Sequence, residues 1–269
     1  MKRWENETMK KIIAGMAAVF AALGLILAVV LMPANSQEPS QNETELTAGM
    51  VNQIPAPASC VRLTYSEGSF MSWLGSLGLK KNGSIRIFDG STVRSGAYHV
   101  WAVVDMPLLF QDDLEQCADY CMRFWAEYNK ASFGEQGEFF LYDYNGRKKY
   151  FRNSGLSFVK FLRNSMSCSN SFSILKGGIP VSDADARPGD MFVQNETGGI
   201  GHVSMIMDAC REESGRIYFL VGFSFMPAQE FHIEKAPPEY GRDGWFDLEG
   251  YRNYLAAFYN YGTPHLRRF

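Results

Sequence analysis

The sequence lacks the features of several common protein classes. Its basic residues form no run longer than the three residues Arg147-Lys148-Lys149, with pairs such as Arg267-Arg268 elsewhere; the formal net charge is −3, and the sequence pI is about 5.9. A positively charged surface that binds the phosphate backbone of a nucleic acid is therefore not expected, and we predict no nucleic-acid partner. The four histidines and five cysteines show no paired zinc spacing, so neither a metal site nor a cofactor is predicted.

The cysteines also lack the pattern of a disulfide framework. Their number is odd and their spacing irregular, at Cys60, Cys117, Cys121, Cys168 and Cys210. A small secreted scaffold would show an even, regular set. We therefore expect at least one thiol that is free or paired between molecules.

One long uncharged run is present near the N-terminus. Ile12 to Met32 contains 21 residues without a charge, and as a helix it would span roughly 30 Å of hydrocarbon. Lysine and arginine occur before this run, whereas none occurs from Pro33 to Val61. The charge asymmetry predicts a membrane anchor over residues 12–32 with the remainder outside the cytoplasm. The alternative is a cleaved signal peptide and a secreted protein.

The remaining chain divides by composition. Residues 34–59 are polar, contain proline and show no hydrophobic period, as expected for a linker. The sequence thus predicts an N-terminal stub and anchor over 1–33, a linker over 34–59 and one globular domain over 60–269.

Helix and strand signals in that domain are separated along the chain. A helix is predicted from Ser69, a second from Asp113 with an apolar face through Cys117 and Cys121, and a third over "LSFVKFLRNSM". "SIRIF" and "YHVWAVVDM" are predicted strands, and "EFFLYDY" with Asn145-Gly146 predicts a hairpin. "GDMFVQ", "HVSMIMDA", "RIYFLVGFSF" and "EFHIEK" predict an antiparallel meander, followed by a helix near the C-terminus. The fold class predicted is α+β.

Cys117 and His202 are the candidate catalytic residues. A cysteine near a helix start gains thiolate character from the exposed amides, and an adjacent imidazole adds to this effect. His202 follows Gly198, Gly199 and Gly201 and opens a strand. The alternative is that Cys117 and Cys121 form part of an apolar helix stripe and are core residues.

The order of these elements resembles a known enzyme class. A helix that begins near a cysteine, then "RPGDMFV", then "GHVSMIM", resembles the NlpC/P60 cell-wall hydrolases of the papain-like superfamily. The resemblance covers Cys117 to about Phe225 and implies a papain-like fold, with the cysteine as nucleophile and the histidine as base.

A second resemblance covers nearly the whole predicted domain. "GSFMSWL", "DLEQCADYCMRFWAEY", "GDMFV", "GHVSMIMD", "FLVGFSFMPAQEFHI" and "YGTPHLRRF" are similar to an uncharacterised bacterial family, domain of unknown function 4846. The family's Gln-Cys-Ala-Asp pattern is matched from Gln116 to Asp119, and its Gly-His pattern by Gly201 and His202. The resemblance implies an exported or anchored bacterial protein with no established reaction.

The chain departs from that family at one position. Phe223 stands where the family typically has glutamine. If that glutamine orients the histidine in relatives, Ser224 or Gln229 is expected to do so here. Gln116, Asp119, Gly201 and Met226 complete the candidate site as oxyanion or substrate-groove residues.

Two functions follow from these patterns. The first is a membrane-anchored cysteine hydrolase of amide or peptide bonds, with peptidoglycan stem peptides as the substrate implied by analogy. The alternative is a non-catalytic binding or structural protein of the cell envelope that retains the same fold, with peptidoglycan or a peptide as its ligand.

Overall fold

The computed structural model describes residues 49–134 and 137–269. The predicted anchor over residues 12–32 lies outside this part of the chain, as does the predicted linker up to residue 48. In the described ranges, no helix is both long enough and apolar enough to cross a membrane.

Five α-helices occur in the described part of the chain. Ser69 caps the first of them through a hydrogen bond from the Ser72 amide to its hydroxyl oxygen (3.2 Å), as the sequence predicts. The helices are α1 (Phe70–Gly75), α2 (Cys117–Phe133), α3 (Phe158–Met166), α4 (Ser171–Gly177) and α5 (Leu248–Phe258).

The strands are short except for two at the centre. They are β1 (Cys60–Arg62), β2 (Val100–Val103), β3 (Phe140–Tyr142), β4 (Lys148–Tyr150), β5 (Ile179–Pro180), β6 (Met191–Gln194), β7 (His202–Glu212), β8 (Ile217–Phe223), β9 (His232–Glu234), β10 (Gly241–Arg242), β11 (Trp245–Phe246) and β12 (His265–Arg268). β3 and β4 form the predicted hairpin, whose turn uses Gly146 at a φ of 78°.

The other ten strands of the described ranges form one sheet, and every pairing in it is antiparallel. Its main order is β10-β11-β8-β7-β6-β12-β5, while β1 pairs with β7 and β9 joins β2 to β8. The predicted meander from β6 to β9 is confirmed, because each of these strands pairs with the next. The fold is therefore α+β with an antiparallel sheet, as the sequence predicts.

The predicted strand over "SIRIF" does not form as an extended element. Arg86 bridges to Thr92, and Ile87 bridges to Gln229. The Phe88 amide donates to the carbonyl oxygen of Ala228 (2.9 Å), so the segment pairs residue by residue with the loop before β9. The tight turn at Asp89-Gly90 ends the segment before a longer β-ladder can form.

Side chains from the two faces of the sheet enter two separate hydrophobic clusters. Cluster 1 contains the inner face of α2 together with Val203, Met205 and Met207 of β7. Cluster 2 contains the inner face of α5 together with Ile206 of β7. Because successive side chains of a strand point to opposite faces, β7 contributes alternately to both clusters.

Residues before Cys60, within the predicted linker, also pack into the domain. Met50 bridges to Gly78, and a turn of 3-10 helix covers Val51–Gln53. Val51 and Ile54 are fully buried in cluster 1, and the Trp245 indole donates to the Pro55 carbonyl (2.8 Å). Two isolated apolar residues in an irregular segment carry no periodic signal, which is why the sequence pattern assigns them to the linker.

The C-terminal strand β12 lies between β6 and β5 in the sheet. β12 pairs with both β6 and β5. Arg268 donates from Nε and Nη2 to the two carboxylate oxygens of Asp190 (2.6 and 2.8 Å). Asp190 is buried just before β6, so the Gly-Asp pair of "GDMFV" anchors the chain end rather than a reaction site.

The buried start of the domain predicts a stability effect. Ile54→Ala removes a fully buried side chain and should lower the free energy of unfolding by about 2–5 kcal/mol. Val61→Ala is the matched control, since Val61 is 75% exposed and its truncation should change stability by less than about 0.5 kcal/mol. Denaturant unfolding of the full chain measures both. Equal, small effects would contradict a domain that starts near residue 50.

Candidate functional site

Cys117 is the first residue of α2. The preceding residue, Gln116, has extended backbone and forms the N-cap, and its amide donates to the Asp119 carboxylate (3.1 Å). The sequence pattern placed the helix start at Asp113. The Asp113 carboxylate instead accepts the Ala228 amide (2.6 Å) and the Gln116 side-chain amide (3.0 Å), which ties it to the loop before β9.

The sulfur of Cys117 is shielded from solvent. The residue is 5% exposed, and the backbone of Val203 in β7 lies near the sulfur. Burial raises the pKa of the thiol to about 12, and the amides at the helix start only partly offset this effect. A nucleophilic cysteine needs the opposite shift.

His202 is enclosed by aromatic rings. It is fully buried, its ring stacks on Tyr259 (centroids 5.2 Å apart, 18° between planes), and the rings of Phe223 and Phe225 contact it edge-on (5.1 and 5.4 Å). Neither ring nitrogen has a hydrogen-bond partner among the described residues. Burial lowers the pKa of the imidazole to about 3, with the nearby His232 adding to the effect.

Cys117 and His202 have different neighbours around β7. The Val203 side chain belongs to cluster 1 with α2. His202 precedes it in β7, so its ring points to the other face, where its aromatic neighbours Phe223 and Tyr259 belong to cluster 2 with α5. Neither ring nitrogen of His202 has a hydrogen-bond partner among the described residues, so no hydrogen bond joins the predicted pair.

The two residues predicted to orient the histidine have other partners. The Ser224 hydroxyl donates to the Gln229 carbonyl oxygen (2.6 Å), and the Gln229 side-chain amide donates to the Tyr98 hydroxyl (2.8 Å). Neither side chain is hydrogen-bonded to His202. Phe223 and Phe225 are the residues of this segment whose rings contact the histidine ring.

The predicted groove residues also serve the packing of the domain. Gln116 and Asp119 cap α2, and Asp119 is buried with its pKa well above the usual range because of desolvation. A Cβ atom added to Gly201 would lie 2.3 Å from the Gln194 carbonyl oxygen and 2.4 Å from the Ser171 hydroxyl. Glycine is thus required there by close packing. Met226 is half-buried in the loop between β8 and β9.

One buried polar cluster was missed by the sequence reasoning. Glu234 accepts hydrogen bonds from His232 Nε2 (2.9 Å), from the Tyr254 hydroxyl (2.5 Å) and from the His99 amide (2.9 Å). Burial alone would raise the pKa of Glu234, but the contact with His232 and the other two donors hold it below the usual range. The alternation His-Ile-Glu in "EFHIEK" is the signal that places both side chains on one face.

The His232–Glu234 pair is closed off rather than presented to a ligand. The Tyr98 ring stacks on His232 (4.7 Å, 30°), and Phe223 packs against its edge (4.4 Å). Both members of the pair are fully buried. A carboxylate-oriented histidine is a common catalytic unit, yet here it joins α5 to the sheet through Tyr254. In residues 49–134 and 137–269, no group of three His, Cys, Asp or Glu side chains is placed to hold a metal ion.

Comparison with known families agrees with the second resemblance. The family described as domain of unknown function 4846 matches residues 50–152 and 141–268. The chain belongs to this family. No curated protein and no solved structure matches the chain. The family description assigns no activity, so the function of this member rests on its own residues.

The buried state of His202 predicts a pH effect. Its folded-state pKa lies below the unfolded value of about 6.5, so between pH 6.5 and 3 the unfolded chain binds more protons, and stability is lost as the pH falls. The His202→Phe variant lacks this titrating group, so it does not lose that stability as the pH falls. The variant should gain about 2 kcal/mol in unfolding free energy relative to wild type between pH 6.5 and 5.

Urea unfolding at several pH values measures this difference. His99→Phe is the control, because His99 is solvent-exposed. A constant difference between His202→Phe and wild type across that range would show that His202 is protonated in the folded protein.

Proposed function

We propose that this protein is a non-catalytic binding module of the bacterial cell envelope. In this proposal it keeps the order of elements of papain-like hydrolases, with a cysteine helix, a Gly-Asp strand and a histidine strand, but has no working cysteine–histidine pair. Residues 12–32 anchor it to a membrane, and the domain lies outside the cytoplasm. The observation that carries the proposal is the absence of a hydrogen bond between Cys117 and His202, whose ring nitrogens have no partner among the described residues.

The charge states of the two residues support the same conclusion. A hydrolase of this type needs a thiolate stabilised by an imidazolium. Here burial raises the pKa of Cys117 to about 12 and lowers that of His202 to about 3. Both groups are therefore neutral at pH 7.

A groove elsewhere on the domain has the character of a binding site. It has a volume of about 640 Å³ and lies between the β3–β4 hairpin, the turn after β4 and α3. Tyr142 lines it and is almost fully buried, and its hydroxyl has no hydrogen-bond partner among the described residues. The lining residues are Tyr142, Asp143, Tyr144, Asn145, Lys148, Lys149, Tyr150, Asn153, Ser154, Phe161, Asn164, Ser165 and Cys168.

The lining chemistry favours a sugar chain as the ligand. Asn145, Asn153 and Asn164 each present an amide that both donates and accepts, which matches sugar hydroxyls and acetamido groups. The rings of Tyr144 and Tyr150 offer apolar faces with polar edges for the C–H faces of a sugar. We infer that the glycan strand of peptidoglycan, rather than its stem peptide, is the part recognised.

Alkylation tests the absence of catalysis. With iodoacetamide at pH 8, Cys117 of the native full chain should react at least about 100-fold more slowly than the exposed Cys168, because burial leaves almost no thiolate. Mass spectrometry of the two peptides measures both rates. Fast alkylation of Cys117 that slows in His202→Phe would overturn the proposal and support the cysteine hydrolase.

Calorimetric titration tests the groove. An oligomer of N-acetylglucosamine should bind the full chain, and Asn153→Ala with Asn164→Ala should weaken binding about tenfold or more through lost hydrogen bonds. Asn253→Ala, an exposed asparagine of α5 outside the groove, should leave it unchanged. If a stem-type peptide binds instead of the sugar, and the asparagine variants weaken that binding, the sugar is the wrong ligand. The groove would then still be the binding site.

A further inference from the structure

Cys60 and Cys210 are neighbours on adjacent strands. β1 pairs antiparallel with the end of β7, with Cys60 opposite Glu212 and Arg62 opposite Cys210. Residues two apart on a strand share a face, so the two cysteines are diagonal neighbours on one face. The Leu63 amide donates to the Ala209 carbonyl oxygen (2.9 Å) and fixes this register beyond the strand end.

Their side chains lie close together. The Cys60 side chain acts on the pKa of the Cys210 thiol, Cys210 belongs to cluster 1, and Cys60 packs against that cluster. Diagonal cross-strand neighbours have Cα atoms about 7–8 Å apart, whereas most disulfides join Cα atoms about 4.4–6.8 Å apart. Forming the bond therefore needs a small shift of β1 relative to β7 as well as rotation of the two side chains.

The two thiols differ in access to solvent. Cys60 is partly exposed, whereas Cys210 is fully buried. Burial raises the pKa of the Cys210 thiol to about 12; the neighbouring Cys60 adds to this rise, and the Arg62 guanidinium opposes it. An external oxidant therefore meets Cys60 first, and Cys210 is placed to complete the reaction from inside the domain.

We propose that Cys60 and Cys210 form a disulfide that joins β1 to β7 when the protein meets a disulfide oxidant. The Cys60 thiolate attacks one sulfur of the oxidant RSSR and expels RS⁻, leaving a mixed disulfide on Cys60. The Cys210 sulfur then gives up its proton, attacks the Cys60 sulfur and expels the second RS⁻. Two protein thiols are oxidised and one RSSR is reduced to two RSH.

The bond would hold the start of the domain. Residues 49–62 contain Val51 and Ile54, which enter cluster 1, and β1, which lies along β7. A covalent link across about 150 residues of chain removes much conformational freedom from the unfolded state. Oxidation should therefore stabilise the domain at the point where it leaves its N-terminal segment. This inference does not depend on the ligand of the groove.

The test is oxidation of the full chain with oxidised glutathione, followed by alkylation and non-reducing peptide mapping. We expect a peptide pair linked through Cys60 and Cys210, and a rise in Tm of about 5–10 °C that is reversed by dithiothreitol. Cys60→Ser should lose both results. Cys168→Ser, which changes an exposed cysteine, should keep both.

Two outcomes would overturn the proposal. One is glutathione retained on Cys60 with no linked peptide, which would mean that Cys210 cannot reach it. The other is a linked peptide with an unchanged or lowered Tm, which would mean that the bond strains the pairing of β1 with β7 instead of stabilising it.

Discussion

The alternation of side chains along β7 determines which hydrophobic cluster each of its residues enters. This strand runs from His202 to Glu212 and is buried on both faces over most of its length. Val203, Met205 and Met207 face α2, while His202 and Ile206 face the side of α5. When the two faces of a strand enter two separate hydrophobic clusters, the side chains of neighbouring residues cannot point toward the same helix. The position of the cysteine helix and that of the histidine ring follow from this single rule.

The buried polar groups on the face of the sheet covered by α5 differ in their hydrogen bonding. The His232–Glu234 pair has hydrogen bonds from Tyr254 and from the backbone of His99, and it connects α5 to the sheet. His202 has aromatic neighbours but no hydrogen-bond partner among the described residues. A neutral imidazole among rings tolerates this arrangement, whereas a charged one would be strongly destabilised. Phe223 lies between the two histidines, where a polar side chain would supply a partner to His202.

Patterns within single elements were predictable from the sequence. The meander from β6 to β9, the hairpin at Asn145-Gly146, the Ser69 cap and the helix through Cys117 all follow from local periodicity and turn residues. Which face of the sheet each helix covers depends on contacts between distant segments, and periodicity does not encode it. For this reason the sequence could name Cys117 and His202 but could not tell that no hydrogen bond joins them.

The start of the domain and the groove could not be predicted from the sequence, for similar reasons. Val51 and Ile54 are two apolar residues in an irregular segment, and their burial depends on the cluster that receives them. The groove is assembled from a hairpin, a turn and a helix whose polar residues look like ordinary surface positions. In contrast, the proximity of Cys60 to Cys210 comes from the register of β1 on β7, which no spacing of cysteines along the chain reveals.

The titration of the His202 imidazole decides whether Cys117 and His202 form a thiolate–imidazolium pair. Long-range ¹⁵N NMR of the native chain from pH 4 to 8, compared with Cys117→Ala, reports the charge and tautomer of that ring. We expect a neutral ring throughout this range, because burial lowers its pKa to about 3, and no change on removal of the thiol. A ring that is protonated near pH 7 and loses that proton in Cys117→Ala would show such a pair, and the protein would then have the charge state of a cysteine hydrolase.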